Sequence, residues 1–157
     1  PLYLRPAAVL VRPGNPKNIK GFADLLSREL KVLVVNGAGQ QGLWEDMAGR
    51  TGDIGVVRAI RRNIGAVAFN SAEAKKLWTE DRSYDAWLIW NIWQVANPTL
   101  ADLVSVAPKW RIYRDAGTAL TIRGRDKSAA RDFIRFLRSR EGARIFSRWG
   151  WITRPRH

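Results

Sequence analysis

The chain has 157 residues, 46% of them hydrophobic, with 27 Lys and Arg against 14 Asp and Glu for a formal charge of +13. That length and composition predict about one domain with a sizeable core, and no stretch approaches the ~20 apolar residues of a membrane-spanning helix. The absence of cysteine excludes disulfides, thiolate nucleophiles and Cys-based metal sites, and a lone His157 excludes His-based triads and His-rich metal sites.

The charge is uneven. From Arg111 to His157 there are 13 Lys and Arg against 4 Asp and Glu, a net of +9, and everything before Arg111 carries the remaining +4. The first reading of that charge is a solvated, arginine-rich surface, which is compatible with small anionic ligands. Its alternative use is nucleic-acid contact through the Arg-rich C-terminal third, with tryptophans stacking on bases. Pro1 opens the chain without the charged and apolar leader of a signal peptide.

Arg5 to Arg12 reads as a strand closed by the turn residues Pro13-Gly14-Asn15-Pro16. Ile19, Phe22, Leu25 and Leu26 then fall at helical spacing, and the apolar, β-branched run Leu30 to Val35 predicts a strand covered on both faces. Gly37, Gly39 and Gly42 follow as a tight loop into a helix over Leu43 to Arg50, whose amide N–H groups point back toward the turn and attract anions. Asp53 caps a further helix carrying Ile54, Val57, Ile60 and Ile64 on one face. A brief strand, Ala66 to Phe69, leads to a helix capped at Asn70 and Ser71, with Glu73 in capping-box position. Asp85 to Trp90 is a buried strand with Asn91 at its C-terminal end, where open α/β sheets present ligand-binding residues. Asn97 to Leu103 reads as helical, Val104 to Ala107 as extended, and Arg111 to Arg114 with Thr118 to Ile122 as one long kinked strand. Ser128 caps an amphipathic helix with Ala129, Phe133, Phe136 and Leu137 facing the core. Ile145, Phe146, Trp149 and Trp151 continue a helical, aromatic C-terminus. Alternating strands and helices predict an α/β fold with a largely parallel sheet.

Gly37-x-Gly39-x-x-Gly42 after a strand also matches the dinucleotide fingerprint, which makes an NADP-dependent oxidoreductase the enzymatic alternative. A Rossmann site needs a second strand about 20 residues on, with an acid for the ribose or a basic group for a 2'-phosphate. The interval here reads as helix instead.

Four stretches carry a resemblance: VLVRPGNPKNI (Val9 to Ile19), VVNGAGQQGLWED (Val34 to Asp46), DAWLIWNIWQVAN (Asp85 to Asn97) and FLRSREGARIFSRWGW (Phe136 to Trp151). Together they resemble the accessory colonization factor type of periplasmic solute-binding protein, related to the molybdate- and sulfate-binding proteins. The resemblance implies a type II periplasmic-binding-protein fold, two α/β lobes joined by crossing strands, with an anion held by helix N-termini and neutral donors. It also implies that the N-terminal third of the family pattern lies outside this chain. Residues 1–14 would then hold the first crossing strand, 15–107 the second lobe, and 108–157 the second crossing strand, Thr118 to Ile122, with the closing helices of a truncated first lobe.

By the same resemblance the ligand contacts fall in three clusters. The first is Asn36, Gly37, Ala38, Gly39, Gln40, Gln41 and Gly42 with Trp44, the second is Asn70 and Ser71, and the third is Trp90 and Asn91. Trp90 stands near the family's aromatic hydroxyl position and offers only an indole N–H. Arg61, with Arg58, Arg62 and Asn63, is a further candidate as a cationic wall. The expected protein is no enzyme and uses no metal or cofactor. It binds sulfate, another tetrahedral oxyanion or a carboxylate such as citrate. It works in the periplasm with an ABC transporter permease or a sensor, and a second chain is a candidate to complete the truncated lobe.

Overall fold

The computed structural model describes residues 2–27, 29–37 and 39–153. Two compact units emerge: Ala7–Ile112, and Pro1–Pro6 with Tyr113–His157. Strand β1 (Tyr3–Val11) contributes its first residues to the smaller unit and its later ones to the larger.

The larger unit continues through α1 (Asp24–Ser27), β2 (Val32–Val35), α2 (Leu43–Gly49) and α3 (Ile54–Asn63). It goes on through β3 (Ile64–Ala68), α4 (Ser71–Glu80), β4 (Ala86–Trp90), α5 (Ile92–Ala96) and β5 (Asp102–Val104). Its strands lie in the order β3-β2-β4-β1-β5. β3, β2 and β4 are parallel, whereas β1 runs antiparallel to β4 and to β5. The sheet is therefore mixed. The continuous apolar runs of β2 and β4 are buried along their whole length, as strands covered on both faces require. Ile19, Phe22, Leu25, Met47, Ile60 and Trp78 fill the layers around them.

Arg12 joins β1 to the end of α4. Its guanidinium donates to the carbonyls of Tyr84 (2.8 Å), Trp78 (2.8 Å) and Asp81 (2.7 Å) and lies 3.6 Å from the centre of the Trp78 ring. A planar cation with a rigid fork of donors can cap a helix C-terminus and stack on an aromatic face at once.

In the smaller unit, β1 pairs antiparallel with β6 (Tyr113–Ala116) and with β7 (Ile152–Thr153). Helices α6 (Ser128–Leu137) and α7 (Arg140–Arg148) meet at a corner where a Cβ at Gly142 would strike the Phe136 and Leu137 carbonyls. The Tyr3 hydroxyl donates to the Leu137 carbonyl, and its ring stacks on Phe146 at 4.1 Å. Phe146 in turn meets Trp151 edge-on at 5.6 Å.

Three expectations fail here. Thr118 to Ile122 is no strand: Thr121 accepts the Gly124 N–H at 3.1 Å, and a 3₁₀ turn forms over Ile122–Gly124. The strand carrying the pairing is β6, which ends at Ala116. Asn97 to Leu103 is not helical. After a turn the chain enters β5, because Leu103 and Val104 pair with Leu10 and Val9. Finally, α6 has the expected amphipathic pattern yet buries none of its residues.

Candidate functional site

Because β3, β2 and β4 are parallel, their C-terminal ends lie on one edge of the sheet, where open α/β sheets carry ligand loops. Val35 pairs with Ala68, so Asn36 and Phe69 leave the sheet side by side, and the Asn36 N–H donates to the Ala68 carbonyl at 2.9 Å. Continuing the β2–β4 register sets Trp90 opposite Asn36. The three sequence clusters thus converge on one edge of the larger unit.

The glycine loop is shaped by this crowding. A Cβ at Gly37 would collide with the Phe69 carbonyl oxygen, so only glycine lets the β2 and β3 exits approach. Gly39 and Gly42 adopt left-handed backbone, with φ of 79° and 74°. The loop's own bonds run from the Gln40 N–H to the Gly37 carbonyl (2.9 Å) and from the Leu43 N–H to the Gln40 carbonyl (3.2 Å). The amides of Gly39, Gln41 and Gly42 stand outside those bonds. Ala38 lies outside the described residues.

Gln40 is 4% exposed, and its Nε2 donates to the Ser71 hydroxyl, tying the loop to the start of α4. Its Oε1 is buried with no hydrogen-bond partner among the described residues. Exchanging the two amide atoms would preserve the Ser71 bond and present a buried donor instead. Asn70 accepts the Glu73 N–H at 2.9 Å, and Glu73 accepts the Phe69 N–H at 2.7 Å, a reciprocal cap of the kind the spacing predicts. Asn70 is consequently engaged at its helix, whereas the Ser71 hydroxyl faces the loop through Gln40. Asn91 opens α5, its carbonyl accepting from Gln94 (3.1 Å) and Val95 (3.3 Å).

Three candidates are displaced from the surface of this edge. Trp90 is 0% exposed and belongs to the core, as do all five residues of β4, whose two faces are both covered. Trp44 is buried on α2 and belongs to the core cluster. Arg61 sits in the last turn of α3, immediately before β3 begins, and so at the opposite edge. At about 3.3 Å per residue, the five residues of β3 put roughly 15 Å between that edge and the loop.

Two groups at the edge carried no sequence signal. Phe69 is 76% exposed directly beside Gly37, which only strand pairing reveals. Glu45 and Asp46 occupy the first turn of α2, where carboxylates offset the helix dipole. One Glu45 carboxylate oxygen is buried without a partner among the described residues. The edge is therefore built from neutral donors and glycine amides, with carboxylates behind them and no buried cation among the described residues.

The dinucleotide alternative does not match this geometry: α3 fills the interval where a Rossmann fold has its second strand, and β3 ends at Ala68, followed by Phe69 and Asn70 rather than an acid. Among the described residues there is also no cluster of metal-ligating side chains and no helix long and apolar enough to cross a membrane.

Comparison with known proteins agrees with the fold. Residues 1–152 match the family model described as bacterial extracellular solute-binding protein. PEB3 with L-phospholactate bound is 37% identical with a TM-score of 0.84, over 98% of this chain and 68% of PEB3. Peb3 from Campylobacter jejuni, in another crystal structure, is 34% identical at a TM-score of 0.80, over 98% and 67%. The sulfate-binding protein SubI from Mycobacterium tuberculosis shares the fold at 18% identity and a TM-score of 0.79, over 96% of this chain and 56% of its own. Comparison with curated proteins returns no match. The neighbours carry the two-lobed fold, of which this chain spans about two-thirds in PEB3, and the chain belongs to the bacterial extracellular solute-binding protein family.

Proposed function

We propose that the chain binds a small anion at the loop edge of its larger unit, as part of an extracytoplasmic solute-binding protein that serves an ABC transporter permease or a sensor. The observation behind this reading is the convergence of three strand ends, where Gln40 ties the glycine loop to Ser71 and leaves a second buried polar atom unpartnered. Glycine amides, Gln41, Ser71 and Asn91 are donors that hold oxygen atoms without a full countercharge. The favoured ligand is a phosphorylated carboxylate, with sulfate, other tetrahedral oxyanions and citrate as competitors. PEB3, 37% identical, is the neighbour solved with L-phospholactate.

The test is thermal unfolding against phospholactate, sulfate, molybdate, citrate and NADPH at fixed ionic strength, since a ligand that binds only the folded state raises the midpoint. Phospholactate at about 100 times its Kd should add about 2.7 kcal/mol. The double substitution Gln41→Ala with Asn91→Ala should remove that shift. A shift that survives it would place binding elsewhere, and a shift with NADPH alone would overturn the reading.

A further inference from the structure

After β5 the chain turns through Ser105 to Trp110 and passes alongside the segment from Lys20 to Asp24. Between the two lies a groove of about 200 Å³, entirely within the larger unit and sharing no residue with the loop edge. Both walls are pinned. On one side the Arg111 guanidinium donates to the Val106 carbonyl (3.1 and 2.7 Å), Arg50 donates to the Lys109 carbonyl (3.3 Å), and the Trp110 backbone N–H turns back onto the Ala107 carbonyl at 2.9 Å. On the other, the Asn15 side chain exchanges two 2.9 Å bonds with the Ile19 backbone, and the Lys20 N–H donates to Asp24 at 2.5 Å. The groove is thus held in shape by the protein itself, which lowers the ordering cost of filling it.

Its lining differs in kind from the loop edge. The buried part is aromatic, with the Phe22 and Trp110 rings 5.1 Å apart between centres. Trp110 is 4% exposed, and its indole N–H has no hydrogen-bond partner among the described residues. A buried donor of this kind is costly until an acceptor reaches it. Lys20 and Lys109 are exposed at the rim, the Lys109 ammonium 5.1 Å from the centre of the Trp110 ring, and neither pairs with a carboxylate among the described residues. Ser105 adds a hydroxyl, and Asp24 is the single acid of the lining.

We propose that this groove binds a small aromatic monocarboxylate. Two ammonium groups against one carboxylate leave a single positive charge, which one carboxylate ligand neutralises and a dianion such as sulfate overshoots. The ring of the ligand packs on Trp110 and Phe22, its carboxylate takes the lysine ammonium groups and the Ser105 hydroxyl, and the unmet Trp110 N–H gains an acceptor. The volume is below the ~300–1,000 Å³ of sites for drug-sized ligands, so one ring with its carboxylate is the scale that fits. This inference does not rest on the anion reading, since the two sites have no residue in common.

The experiment adds benzoate to the isotope-labelled chain at fixed ionic strength and follows the tryptophan indole N–H signals by NMR, with Trp110 assigned through Trp110→Phe. Benzoate should move the Trp110 signal and leave those of Trp78 and Trp87 in place. Lys20→Ala with Lys109→Ala should weaken binding at least about tenfold, as loss of charge-assisted hydrogen bonds does. Both lysines are exposed, so unchanged Trp78 and Trp87 signals show that the variant is folded. Benzyl alcohol, which keeps the ring and lacks the charge, should bind at least about tenfold more weakly, and sulfate should not displace benzoate. A Trp110 signal that stays in place, equal binding by the lysine variant, equal binding of benzyl alcohol, or displacement by sulfate would each overturn the proposal. Phospholactate is scored separately by its thermal shift, which the lysine variant should leave intact, so failure of one site is told apart from failure of the other.

Discussion

Gly37 and Arg12 show how single residues set this structure. Replacing Gly37 with Ala puts a methyl group into the Phe69 carbonyl, and neither backbone can give way without breaking the β2–β3 pairing at Val35 and Ala68. A loss of about 2–4 kcal/mol in urea unfolding is expected, in the range of overpacked or strained sites, together with loss of any anion-induced shift. Arg12→Ala leaves the Trp78 and Asp81 carbonyls at the end of α4 and the Tyr84 carbonyl before β4 without their donor and should cost about 2–4 kcal/mol, with Lys restoring less than half because one ammonium cannot span them. Asp81, whose carboxylate accepts from the Ser83 hydroxyl (2.5 Å) and N–H (2.8 Å), has its pKa lowered to about 2. A folded value below the ordinary 3.8 means that its contribution is fully present above about pH 4 and disappears as the pH falls toward 2. Asp81→Asn should therefore lower stability by a constant amount above about pH 5 and flatten the profile between pH 4 and 2, so that variant and wild type converge as the pH falls toward 2.

Among elements, α4 and α6 differ in how much their own sequence decides. The start of α4 is written locally: Asn70 and Glu73 stand at the spacing that caps a helix, and they do so. Asn70→Ala should cost about 1 kcal/mol, and a double-mutant cycle of Gln40→Ala with Ser71→Ala should show coupling because the two share a bond. The α6 pattern is just as legible, and its helix forms at Ser128–Leu137, but periodicity reports which face is apolar and not whether anything covers it. The stretch from Asn97 to Leu103 went the other way. Its helical reading yields to β5 because pairing with β1 satisfies backbone groups that a lone turn of helix would leave open.

For the molecule as a whole, burial predicts unequal stability. Val9, Val32 to Val34, Leu88 and Trp90 are essentially inaccessible, whereas α6 has no buried residue. Native-state hydrogen exchange should find the slowest amides in β2 and β4 and the fastest regular structure in α6 and α7. Equal protection of the two would mean that the smaller unit is covered in solution.

The sequence by itself determined the elements with strong local chemistry: the buried run of β2, the glycine loop after it, the Asp53 and Asn70 caps and the terminal amphipathic helices. It also carried the family, through motifs spread from Val9 to Trp151. Only the tertiary structure decided which candidates share an edge. Strand direction brought the exits carrying Asn36, Ser71 and Asn91 to one edge and sent Arg61 to the far end, and packing on both faces of β4 drew Trp90 into the core. Those outcomes depend on pairings between residues far apart in the chain, which local propensity and spacing do not encode.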